Sequence, residues 1–82
     1  MTFPTVHLNG TSRSTLIDGY TAALEKAREA EWAFRNIEFN SRDYYPQGPN
    51  AWDCAVDDYV ARLTDLQKVI QHLEKHLIHL NP

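Results

Sequence analysis

Apolar residues recur at heptad intervals along two long stretches of this chain, separated by a polar interval fenced by prolines. In "RSTLIDGYTAALEKAREAEWAFRNIEF", Leu16, Tyr20, Ala23, Ala27, Ala30, Phe34 and Ile37 are spaced alternately 4 and 3 apart. The same rhythm runs unbroken through Trp52, Val56, Tyr59, Leu63, Leu66, Ile70, Leu73, Leu77 and Leu80. Such spacing draws one apolar stripe down an α-helix. The pattern predicts a helix over residues 12–38, a loop over 39–50 and a second helix over 51–80. Thr11 or Ser12 can N-cap the first helix. Asn50, preceded by Pro49 and followed by Asp53 at the N3 position, can cap the second. Asn81 and Pro82 close it. Glu31 and Arg35 form an i,i+4 pair in the favourable order. Gly19 weakens the first helix by about 1 kcal/mol relative to alanine, and marks a place for close approach to the backbone. Residues 1–10 are expected to be extended, because Pro4, Asn9 and Gly10 oppose a helix.

Two heptad helices joined by a turn close antiparallel. The expected fold is therefore all-α: a coiled-coil-like two-helix hairpin, one domain over 1–82, with an extended N-terminal segment. At 1.5 Å per residue the helices would be about 37 and 45 Å long. Ala23, Ala27 and Ala30 would face Leu66, Leu63 and Tyr59. Leu77 and Leu80 would overhang the first helix, with Val6 and Leu8 folding back to cover them. Ile17, Leu24, Trp32 and Phe39 lie off the first stripe, and Val60, Val69 and Ile78 off the second. A second apolar stripe implies further helices. Other copies of the chain can supply them, so a helical homo-oligomer is expected.

Composition narrows the class. A chain of 82 residues buries only about 60–65% of its unfolded surface, so a lone monomer is marginal. Cys54 is the sole cysteine, which removes an internal disulfide and suits a reducing compartment. The net charge of -3 and the lack of a basic run disfavour polymeric nucleic acid. They leave room for a small anion held by two or three arginines. The opening "MTFPTVHLNG" has neither the apolar core nor the basic flank of a signal peptide. No run approaches the ~20 apolar residues that span a bilayer. A complete, small, soluble protein of the cytoplasm is the expectation.

Candidate chemistry concentrates in two short stretches. In "SRDYYPQGPN", Arg42 can fork onto a phosphate or carboxylate. Tyr44 and Tyr45 offer flat faces and hydroxyls, Gln47 can read an amide-like or base-like edge, and the prolines stiffen the loop. The competing interpretation is that the tyrosines cap the hairpin end while Arg42 pairs with Asp43. In "HLNGTSRS", Asn9, Thr11, Ser12 and Arg13 stand at a helix start, where exposed N–H groups favour anions. The same residues serve any N-capped helix. In a hairpin these stretches lie at opposite ends, so they can meet only across a subunit boundary. His72, His76 and His79 share one stripe of the second helix, and His7 can fold near them. No cysteine or carboxylate completes a metal site there, so a solvated or interfacial stripe is expected, with no metal and no cofactor. Cys54 is expected to be a buried small residue. No nucleophile triad, carboxylate pair or phosphate-cradling glycine loop is present, which argues against an enzyme.

The succession "HLNGTS", heptad helix, "RDYYPQG", heptad helix resembles short helical-hairpin proteins of bacteriophages and prophages, from His7 to about Leu77. Those include the anti-CBASS and anti-Thoeris sponges, closed oligomers that sequester cyclic nucleotide signals between subunits, and protein-binding inhibitors such as anti-CRISPRs. The resemblance implies that Arg42, Tyr44, Tyr45 and Gln47 hold a cyclic oligonucleotide immune signal in the host cytoplasm without cleaving it. Asn9, Thr11, Ser12 and Arg13 of a neighbouring copy would complete the pocket. The alternatives are an inhibitor of a host defence protein, or a structural phage hairpin with no small ligand. The inhibitor would use Trp32 and Phe39 with the acidic face of Glu25, Glu29, Asp57 and Asp58.

Overall fold

A computed structural model describes residues 1–81, and Pro82, expected to help end the second helix, lies outside them. Two long helices account for most of the chain, and no strand occurs among the described residues. Helix α1 spans Arg13–Arg35 and helix α2 spans Ala51–Leu80. They pack antiparallel into a rod with extents of 60 × 21 × 19 Å. Its radius of gyration is 18.4 Å, where a compact chain of this length would have about 12 Å.

Ser12 caps α1, its hydroxyl accepting from the Thr15 amide at 3.2 Å. The helix stops at Arg35, three residues short of the expected 38. Asn36 ends it by donating its side-chain amide to the Trp32 carbonyl at 2.6 Å. The chain then leaves the helix and delivers Phe39 under the hairpin tip, where its ring lies 5.1 Å from Tyr59 and 5.4 Å from Trp52. Burying one more aromatic ring outweighs another exposed helical turn. Asn50 occupies the N-cap position of α2 but makes no side-chain cap bond, contrary to expectation. The Glu31–Arg35 pair is present at 3.3 Å. Nothing approaches Gly19, so the close contact expected there is absent.

The register differs by one helical turn from the expected alignment. Phe34, rather than Ala30, lies against Tyr59: the rings stack at 4.9 Å and the Tyr59 hydroxyl donates to the Phe34 carbonyl at 3.1 Å. The α1 stripe also rotates. Leu24, expected off the seam, is buried, and Glu31 is half-buried, while Ala23, Ala30 and Ile37 of the expected seam are exposed. A leucine removes far more apolar area from water than an alanine, so the helix turns its larger side chains inward. The α2 stripe is half-buried or buried from Trp52 to Leu80.

At the far end the N-terminal segment folds back over α2: Val6 lies near Leu80 as expected, Phe3 adds the main cover, and Leu8 stays out. The Phe3 ring stacks on His79 at 4.7 Å and meets His76 edge-on at 4.9 Å. Leu8 is 98% exposed. Beneath Phe3, His76 is only 2% exposed, stacked on Tyr20 at 4.7 Å, with its Nδ1 2.8 Å from the His72 carbonyl oxygen. Among the described residues, Leu24, Ile70, His76 and Leu80 are the buried apolar and polar side chains, and Leu80 is fully so.

Leu24→Ala should therefore cost about 2–3 kcal/mol in urea denaturation, and Leu8→Ala should leave the midpoint unchanged. A negligible loss at Leu24 would mean that the expected seam, not the observed one, carries the core, and a large loss at Leu8 would mean that it covers the end of α2.

Candidate functional site

The tip is built by two 3-10 turns, Ser41–Asp43 and Tyr45–Gln47. Asn40 starts the first. Its side-chain oxygen accepts from the Arg42 amide at 3.1 Å, and the Asp43 carboxylate accepts from the Asn40 amide at 2.9 Å. This reciprocal cap holds the turn rigid without help from the helices. Gly48, at φ 115°, makes the reversal into Pro49 and α2 in a region that L side chains avoid.

That scaffold sends the two adjacent tyrosines to different tasks. Tyr44 turns inward, 5.8 Å from Trp52 and 6.5 Å from Phe39, and plugs the open end of the hairpin. Tyr45 stays 67% exposed, tethered only by Ser41, whose hydroxyl lies 3.2 Å from the tyrosine oxygen. Between them an open groove of about 600 Å³ runs along Ser41, Tyr44, Tyr45, Gly48, Pro49, Trp52 and Asp53. Arg42 is exposed beside it, and its Nε donates to Asn40 Oδ1 at 3.3 Å. The expected Arg42–Asp43 ion pair does not form, because Asp43 is engaged by the backbone. Gln47 is exposed and outside the groove lining.

The second set lies at the other end of the rod. Asn9 and Thr11 are exposed, and Ser12 is occupied as the N-cap. Arg13 reaches across and donates to the Leu80 carbonyl, clasping the end of α2 to the start of α1. A cation at a helix C-terminus is favourably placed. One chain thus brings Arg42, Tyr44 and Tyr45 together, and separates them from Asn9, Thr11, Ser12 and Arg13 by the length of the molecule.

Other candidates resolve as follows. Cys54, expected to be buried, is exposed near the tip, far from the histidines at the strap end. His72 and His79 are exposed, as a solvated stripe requires, although the His79 Nε2 lies 3.2 Å from the Pro4 carbonyl oxygen; His76 alone of the three is enclosed. His7 folds over Gly10 rather than joining them. No group of three metal-ligating side chains occurs among the described residues. Phe39 is packed in the tip and unavailable as an outer aromatic. Trp32 is 70% exposed on the outer face of α1, in a shallow depression with Glu25, Arg28 and Glu29. The division of labour between Tyr44 and Tyr45 could not be read from the sequence, where the two are equivalent neighbours.

No family model matches the chain, and no curated protein and no solved structure matches it. Among the described residues, no helix is long and apolar enough to cross a membrane.

Truncating the two tyrosines should separate their roles. Tyr44→Ala should lower stability by about 2–3 kcal/mol, and Tyr45→Ala by less than about 0.5 kcal/mol. Thermal melts of both variants check this, and comparable losses would mean that both rings are structural.

Proposed function

We propose that the protein is a non-catalytic, self-associating helical hairpin of phage origin that acts in the host cytoplasm by binding. Its cargo is a small cyclic nucleotide immune signal held between copies. The observation that supports this most is the presentation of Tyr45. A tyrosine face held out after a doubly capped turn, with Arg42 exposed on that turn, suits a base stacked on the ring and a phosphate on the fork. The rigid turn means that little conformational freedom is lost on binding. A binding role without chemistry fits the placement of the reactive groups. The single thiol and the buried imidazole stand at opposite ends of a rod 60 Å long, so neither can activate the other.

A second cargo is favoured by a different observation. Trp32 lies exposed on the outer face of α1 in a depression with Glu25, Glu29 and Arg28, the last paired with Glu74, which suits the basic surface of a host defence protein. Exposed tryptophans are frequent anchors of such interfaces. In that case the tip is only a closure.

Native mass spectrometry of the purified protein, alone and with a panel of cyclic di- and trinucleotides, separates the two. An oligomer that gains a fixed number of nucleotide masses, and loses them in the Arg42→Ala, Tyr45→Ala double variant, is the expected outcome. No uptake, together with loss of anti-defence activity in Trp32→Ala but not in the double variant, would transfer the function to the outer face.

A further inference from the structure

The chain exposes 6232 Å², whereas a folded protein of its mass, 9.5 kDa, exposes about 5,000 Å². The excess, about 1,200 Å², is larger than the roughly 800 Å² that each partner contributes to a standard interface. The excess is not spread evenly. A helix turns about 100° per residue. Going one way round α1 from the buried row of Tyr20, Leu24 and Ala27 leads to Arg28, which pairs with Glu74 at 3.4 Å across that flank. Going the other way leads to Ala23 and Ala30, both exposed. Beside them on α2 lie the half-buried Leu66 and Leu73 and the half-exposed Val69. Ile37, also half-exposed, extends this face past the end of α1. The charges nearest it are already answered: Lys26 by Glu29 at 3.3 Å and Arg62 by Asp65 at 3.0 Å. The face is shallow and mostly apolar, with those two exposed ion pairs along it, and it is centred near the middle of the rod.

We propose that this face takes a second copy of the chain, aligned antiparallel, to form a four-helix bundle. This rests on the self-association in the function proposed above and names its surface and direction. The alanines let the helices approach closely while Leu66, Val69 and Leu73 fill the spaces between them. The direction follows from charge. Around the tip, Glu38, Asp43, Asp53, Asp57 and Asp58 face two cations, Arg35 and Arg42. Around the strap end, Arg13 and Lys75 balance Asp18 and Glu74, and all four histidines are there. Parallel alignment sets acidic tip against acidic tip. Antiparallel alignment sets each acidic tip against the more basic end of its partner. It also brings Arg42 and Tyr45 of one copy beside the partner subunit's Asn9 and the partner subunit's Thr11. The two stretches that one chain keeps apart thereby form one composite site at each end of the dimer.

Cys54, exposed near the tip, is a native labelling position. It lies about 20 Å along the helix from the middle of the bundle. Nitroxide labels on the full-length protein should therefore be separated by about 40 Å in the antiparallel dimer, against about 20–25 Å in a parallel one. Light scattering behind size exclusion should show a dimer for the unmodified chain. Ala30→Glu, which alters an exposed position of the monomer, should weaken dimerisation at least about tenfold. Trp32→Glu, on the outer side, should leave it unchanged. A short label separation overturns the alignment. A dimer that Ala30→Glu does not weaken overturns the face while self-association stands. A monomer at 100-fold dilution and at high concentration alike overturns self-association itself, and this proposal with it.

Discussion

Phe34 stacked on Tyr59, with the tyrosine hydroxyl bonded to the phenylalanine carbonyl, fixes how far α1 slides along α2. The other long-range contacts fall into the same alignment. Tyr20 meets His76, and Arg13 meets the last carbonyl of α2. Helix pairs are bistable about such contacts, because a slip of one turn moves every residue to a new neighbour while keeping the same stripe inward. An aromatic pair with a hydrogen bond at its rim removes that freedom: the ring faces set the distance and the hydroxyl sets the axial position. The Leu24-inward rotation of α1 follows, and so does the exposure of Ala23 and Ala30.

Both ends of the rod are closed by aromatic rings from outside the helices. Phe39 and Tyr44 fill the tip, and Phe3 covers the strap end. A two-helix seam is open at its ends as well as along its flanks, and rings are the largest apolar groups available to shut it. This need competes with ligand binding for the same residues. At the tip the competition is settled by an even split between adjacent tyrosines. At the strap end Arg13 and Ser12 are committed to clasping and capping, which leaves Asn9 and Thr11 free. A binding site assembled from both ends therefore needs a second chain.

Apolar surface left over along the flanks points the same way. Two helices in contact each bury one stripe, and this chain carries more apolar positions than two stripes hold. The remainder is divided between a broad face containing Val69 and the alanines, the separate side chains of Val60 and Ile78 on the other flank of α2, and a single prominent ring, Trp32, on α1. The breadth of the face suits a helix-on-helix contact, and the isolation of the ring suits a point of attachment for something else.

The sequence by itself determined that the chain is helical and where its second helix lies, because a heptad stripe that runs unbroken from Trp52 to Leu80 has no other way to hide from water. It determined the N-cap at Ser12 and the rigid character of the tip, since both depend on neighbours within a few residues. The exposure of Val60, Val69 and Ile78 was legible for the same reason. Only the tertiary structure decided which α1 residues turn inward. Ala23 and Leu24 are adjacent, each fits a heptad, and the choice depends on what α2 presents to them. The end of α1 at Arg35, the tucking of Phe39, the enclosure of His76 under Phe3 and the parting of Tyr44 from Tyr45 are of the same kind. Each is set by a ring from a distant part of the chain, and local sequence carries no record of which distant ring will arrive.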